Sequence, residues 1–143
     1  MTVKTQTTDE TIKLGEKIGS YLKAGDVLAL RGTLAAGKTT ITKGIARALG
    51  IEETITSPTF TIVSEYEGKL HLYHIDVYRL DSSEDFVNLG SDEMLYGNGV
   101  SIIEWSEKVQ SEIPAKAITI SLEANADDSR IITIENWPYG DLQ

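Results

Sequence analysis

Val27-Leu28-Ala29-Leu30-Arg31-Gly32-Thr33-Leu34-Ala35-Ala36-Gly37-Lys38-Thr39-Thr40 decides the fold. Residues 27 to 31 form a short apolar run flanked by turn residues, which predicts a buried strand. Residues 32 to 39 satisfy the pattern G-x-x-x-x-G-K-[ST], and the periodicity from Lys38 to Leu49 predicts a helix. Gly50 stands just past it, the residue type that most easily takes the left-handed conformation a helix end requires. A strand, a Gly/Ala loop and a helix in this order make a phosphate cradle. Small residues let backbone N–H groups curl around phosphate oxygens, and the helix N-terminus adds partial positive charge. The bland alternative is a tight strand-to-helix turn with a surface lysine.

Read as a P-loop, the segment assigns Leu34, Ala35, Ala36 and Gly37 to the cradle and Lys38 to the β- and γ-phosphates of a nucleotide. The Thr39 hydroxyl would meet Mg2+, and Thr40 would reach the α-phosphate. Such a loop also needs an acid near the metal, ordinarily at the end of a neighbouring strand. Two positions qualify. Asp76 ends Leu72-Tyr73-His74-Ile75, and Glu104 ends Val100-Ser101-Ile102-Ile103. Ser57-Pro58-Thr59-Phe60 is a candidate switch segment, with Thr59 facing the γ-phosphate or metal. Arg79 is either a charge stabiliser or a partner of a nearby carboxylate, and no residue is singled out as catalytic base.

Outward from this centre, Thr11 to Leu22 predicts an amphipathic helix with Thr8 and Asp9 as caps. Residues 54 to 66 predict a loop and then a strand, with Glu67-Gly68-Lys69 as the turn into a second arm from Leu70 to Tyr78. Asp81 to Tyr96 is acidic and helical or loop-like. Ala117 to Glu123 pairs with Arg130 to Glu135 across a polar turn. The alternation predicts one α/β domain over residues 1–143, a P-loop NTPase-like three-layer sandwich on a mixed parallel and antiparallel sheet.

Composition bounds the chemistry. With 143 residues, 41% hydrophobic, the chain can bury one core, and no cysteine is present for thiolate metal sites or nucleophiles. His71 and His74 are separated by an odd interval in a predicted strand, which puts them on opposite faces and argues against a shared metal. A formal net charge of −9 argues against a surface that grips nucleic acid by itself. The opening residues are polar and no long apolar run follows, so a cytoplasmic protein without membrane contact is expected.

The ordered set Thr-Ile-Lys-Leu-Gly at 11–15, the P-loop with Thr39-Thr40, Ser57-Pro58-Thr59-Phe60, His74-Ile75-Asp76-Val77-Tyr78-Arg79-Leu80 and Ile103-Glu104-Trp105 resembles the bacterial TsaE proteins. These are small ATPases of tRNA threonylcarbamoyladenosine synthesis, and the likeness runs through nearly the whole chain. It implies an ATP- and Mg2+-dependent accessory ATPase, slow alone, associated with TsaB and TsaD. Hydrolysis would reset that complex between rounds, with tRNA reached only through the complex. It also implies Lys38, Asp76 and Glu104 as catalytic residues and Thr39 and Glu104 as metal ligands. Thr8, Glu107 and Arg130 join the P-loop residues around the nucleotide. Thr33 and Ala35 depart from the family's usual Gly-Asp-Leu-Gly-Ala-Gly-Lys-Thr. A methyl at residue 35 needs a negative φ, and the acid absent at residue 33 is a lost contact.

Two other readings use the same loop. A small-molecule kinase would close an arginine-bearing lid, yet residues 80–98 carry five acids and no Lys or Arg. A guanine-nucleotide switch would carry Asn-Lys-x-Asp and D-x-x-G motifs, and neither occurs.

Overall fold

The structure is a computed structural model that describes residues 1–32, 37–56 and 62–142. Seven strands form one sheet: β1 (Thr2–Thr5), β2 (Val27–Gly32), β3 (Val63–Tyr66), β4 (Leu72–Asp76), β5 (Val100–Glu104), β6 (Ile118–Ala124) and β7 (Arg130–Glu135). Their order is β1-β7-β6-β2-β5-β4-β3. The centre is parallel, with β2 between β5 and β6 and β4 beside β5. Antiparallel pairs close both sides, β3 on β4 and β7 on β6 with β1 outermost. The predicted mixed α/β sheet and both hairpins are present.

Parallel strands are covered on both faces, and the side chains divide accordingly. Leu28 and Leu30 of β2, Val100 and Ile102 of β5, and Ile118 and Ile120 of β6 pack with Leu14, Ile18, Ile41 and Ile45. Those last four come from α1 (Thr8–Tyr21) and α2 (Lys38–Ala48). On the opposite face Val27, Ile75 and Ile103 pack with Phe86, Met94, Leu95 and Val109. These belong to α3 (Ser83–Asn88), α4 (Ser91–Leu95) and a 3-10 helix over Ser106–Glu112. Period-two alternation thus sends successive strand residues into two separate apolar layers.

The helices α1 and α2 run parallel at very close range. A methyl added at Gly15 would lie 3.0 Å from the Gly44 Cα and well inside contact distance of the Ile41 carbonyl, and one at Gly19 would lie 2.7 Å from the Ala48 methyl. Glycines at this crossing let the two backbones touch. Both helix N-termini consequently face the same end of the sheet, where β2, β4 and β5 also end.

Some boundaries differ from the sequence expectation. The cap of α1 is Thr7, whose side chain accepts from Glu10 N while Glu10 reaches back to the Thr7 N–H. This capping box starts the helix at Thr8, three residues before the expected Thr11, and replaces Thr8 and Asp9 as cap. The second hairpin arm is shorter than expected, Leu72–Asp76, which leaves His71 before the strand. Strand β1 was not expected, since Val3 is its single apolar residue; it pairs with β7 while Val3 packs on the core. Among the described residues no helix is long and apolar enough to cross a membrane.

Candidate functional site

A cleft of about 490 Å³ opens where the two helix N-termini meet the strand ends, lined among others by Thr8, Gly37, Lys38, Thr39, Thr40, Asp76, Glu104 and Arg130. Gly37 caps α2 at φ 102°. Surrounding atoms leave room for a methyl there, so the left-handed φ is what calls for glycine. That turn aims the first α2 residues into the cleft.

Lys38 is buried, at 5% exposure. Its Nζ donates to the Gly32 carbonyl at 2.6 Å and lies 3.6 Å from the centre of the Trp105 ring. Burial pulls the ammonium below the ordinary lysine value, against the opposing charges of Glu104, Glu107 and Asp76. The lysine thus waits between a carbonyl and an indole, facing acids on the other wall.

Those acids are placed by strand register. In the parallel β4–β5 ladder Asp76 stands opposite Glu104, so both carboxylates emerge on one face at adjacent strand ends. Both are buried, at 6% and 3% exposure. The Tyr78 N–H donates to Asp76 Oδ1 at 2.9 Å, and Glu104 Oε2 accepts from His74 Nε2. His74 and Asp76 are two residues apart, hence on the same face, and His74 reaches Glu104 diagonally across the ladder. After Glu104 the chain turns through Trp105 at φ 64°, and the Ser106 hydroxyl ties this turn to the Leu30 carbonyl at 3.2 Å. The turn lays the indole against Lys38 and Tyr78, the latter at a ring separation of 4.8 Å.

The donors suit a hard divalent cation. A hydroxyl at Thr39 and two carboxylates offer oxygen alone, and Mg2+ is ordinarily held by one or two carboxylates together with substrate phosphates. Among the described residues no cluster of three or more His, Asp or Glu able to hold a metal occurs.

The family model described as "Threonylcarbamoyl adenosine biosynthesis protein TsaE" matches residues 5–132. The chain belongs to the TsaE family. It is 53% identical over 125 residues to the TsaE protein of Treponema pallidum (strain Nichols), covering 87% of this chain and 93% of that one. Against the TsaE protein of Bacillus subtilis (strain 168) it is 46% identical over 132 residues, covering 91% and 82%. The crystal structure of Bacillus subtilis YdiB superposes with a TM-score of 0.82 at 39% identity, covering 94% of this chain and 83% of that one. Membership places the chain among proteins of tRNA threonylcarbamoyladenosine biosynthesis.

Within this TsaE fold the cleft gathers most of the residues expected from sequence, but not all. Glu107 lines a neighbouring cavity of about 530 Å³ with Arg31, Ser121 and Glu123, and Trp105 forms the wall shared with the main cleft. Glu107 sits in the first turn of the 3-10 helix that follows the Trp105 bend. It still bears on Lys38 through its charge. Leu34, Ala35, Ala36 and the departures Thr33 and Ala35, with the Thr59 segment, lie outside the described residues. Arg130 lines the cleft and donates to the carbonyls of Asp128 and Ser129 at 2.8 and 3.2 Å. Arg79 also lines it, and so do Thr7, Thr11, Tyr78 and Asp128, which the sequence reading passed over. Thr7 and Glu10 form the S/T-x-x-E pattern that would have disclosed the first of these.

The two histidines have different surroundings. His71 meets Glu65 and Glu67 on the surface hairpin, whereas His74 is fully buried against Glu104.

Proposed function

We propose that this TsaE-family chain binds ATP with Mg2+ in the cleft and hydrolyses it as an accessory to a complex with TsaB and TsaD, resetting that complex between rounds of tRNA threonylcarbamoylation. The observation that carries the reading is the opposition of Lys38 and Thr39 at the α2 N-terminus to Asp76 and Glu104 at two adjacent strand ends.

In this mechanism the α2 N-terminus and Lys38 hold the phosphates. To reach them, the Lys38 ammonium leaves the Gly32 carbonyl and the Trp105 ring. Thr39 and Glu104 would hold Mg2+, which when bound would neutralise phosphate charge and polarise the terminal phosphoryl group. Asp76, beside Glu104, orients water near the metal. Thr8 and Arg130 border the nucleotide from the opposite wall. The cleft's own charge is mixed, and the strongly acidic chain as a whole supports contact with tRNA through a protein complex rather than alone.

The test is reconstituted tRNA threonylcarbamoylation with the matching TsaB and TsaD proteins under multiple turnover, comparing wild type with Lys38→Ala. Stimulation by wild type alone supports the proposal. Equal stimulation by both removes the nucleotide site from the explanation. Competition between ATP and GTP for the free chain separates an ATPase from a guanine-nucleotide switch.

A further inference from the structure

His74 lies among the apolar residues of β4 and β5. In the ladder it stands opposite Ile102, with Leu72 preceding it on the same face, and Leu72 and Ile102 both belong to the layer beneath α1 and α2. An aliphatic side chain is the ordinary occupant of such a position. The imidazole is fully buried, and its Nδ1 has no hydrogen-bond partner among the described residues. Burying that unsatisfied atom opposes folding. Nε2, by contrast, meets Glu104 Oε2. A carboxylate only accepts, so in this contact it is Nε2 that carries the hydrogen.

We infer that His74 is a positioning residue for Glu104. It commits Oε2 to a buried donor and leaves Oε1 as the oxygen for a cation in the cleft. This rests on the Mg-nucleotide reading above and adds to it a residue that touches neither metal nor nucleotide. The geometry supports orientation rather than simple neutralisation. Lys38 already supplies a positive charge opposite Glu104, whereas fixing the carboxylate's rotation requires a directional donor behind it. Partners of this kind set the orientation of a ligand, and losing one typically weakens metal binding roughly 10–100-fold. His74 is itself fully buried, at 0% exposure.

The test uses His74→Gln, whose amide NH2 replaces the Nε2 donor, and His74→Leu and His74→Met, which lack it. Mn2+ binding is measured by electron paramagnetic resonance in the presence of a non-hydrolysable ATP analogue. Analogue binding in EDTA and thermal unfolding are followed alongside. We expect His74→Gln to hold Mn2+ close to wild type and the two apolar variants to lose roughly 10–100-fold in Mn2+ affinity. Analogue binding in EDTA should stay constant across the series. Wild-type Mn2+ affinity in either apolar variant would overturn the assignment, and so would a loss in His74→Gln as large as in the apolar pair. Unfolding of both apolar variants would assign His74 to the fold instead, with the same result. Failure of the wild type to bind the analogue at all would overturn the nucleotide reading itself, a result distinct from intact analogue binding with equal Mn2+ affinity throughout.

Discussion

The Lys38 ammonium rests 3.6 Å from the centre of the Trp105 ring while it donates to the Gly32 carbonyl. On the proposed reading, a bound phosphate competes with the indole for this ammonium and draws the two side chains apart. Trp105 emission should therefore change on addition of ATP in wild type and remain unchanged in Lys38→Met. The second tryptophan, Trp137, packs with Tyr21 and Tyr139 and serves as an internal reference. Measurement in a Trp137→Phe background isolates the signal, and an unchanged spectrum at saturating ATP would contradict the swing.

On the proposed reading Glu104, held by His74, binds the metal, while Asp76, held by the Tyr78 N–H, orients water. Glu104→Ala should bind ATP with an affinity that no longer responds to Mg2+, measured by calorimetry with and without EDTA. Asp76→Asn should keep that response and lose turnover. Retained Mg2+ dependence in Glu104→Ala would remove Glu104 from the metal site.

Gly44 packs where α1 and α2 touch, and a methyl there would lie 2.9 Å from the Glu16 nitrogen and closer still to the Ile12 carbonyl. Backbone cannot yield as a flexible side chain does. Gly44→Ala should therefore destabilise the protein by about 3 kcal/mol, at the upper end for overpacked cores. Urea unfolding gives that number. Because α2 also carries Lys38 and Thr39, weaker ATP binding should accompany the loss.

For His71, burial alone would lower the pKa, but the hydrogen bonds and charges of Glu65 and Glu67 outweigh it and raise the value above the ordinary 6.5. A raised folded-state value means the folded chain holds the proton more tightly, which adds stability in full below pH 6.5. That increment disappears as pH rises through the raised value. Wild type should thus exceed His71→Gln in unfolding free energy below pH 6.5, with the gap closing at higher pH. Salt should narrow it, since the glutamates are exposed. A gap that widens with pH would reverse the assignment.

The legible parts of the sequence were those in which residue type answers directly to backbone or charge. Gly50 turns left-handed just past α2 as expected, Lys38 and Thr39 open the helix, and the strand ends at Asp76 and Glu104 announce themselves by a carboxylate closing an apolar run. The contact of His74 with Glu104 was not legible. It depends on the register of two strands 30 residues apart, and a one-residue slip would send His74 to the other layer. Glu107, placed beside the nucleotide by resemblance, follows the left-handed turn at Trp105 and lines the neighbouring cavity that shares Trp105 with the main cleft. Sequence spacing carries no sign of a positive φ at a tryptophan. Strand β1 stayed hidden because Val3 is its single apolar residue.

The glycine crossing gives the cleft one fixed jaw. Where Gly15 and Gly44 meet, α1 and α2 touch backbone to backbone, a contact that ties Thr7, Thr8 and Thr11 to Gly37, Lys38 and Thr39 on one side of the cleft. The side facing that block is built from the Trp105 bend and the chain beyond Asp76, which no such backbone contact ties down, and a change in cleft width falls there at least cost. A partner protein that altered the site's grip on its contents would do so most readily by pushing there, because force applied to the helices would move the whole wall without changing its shape.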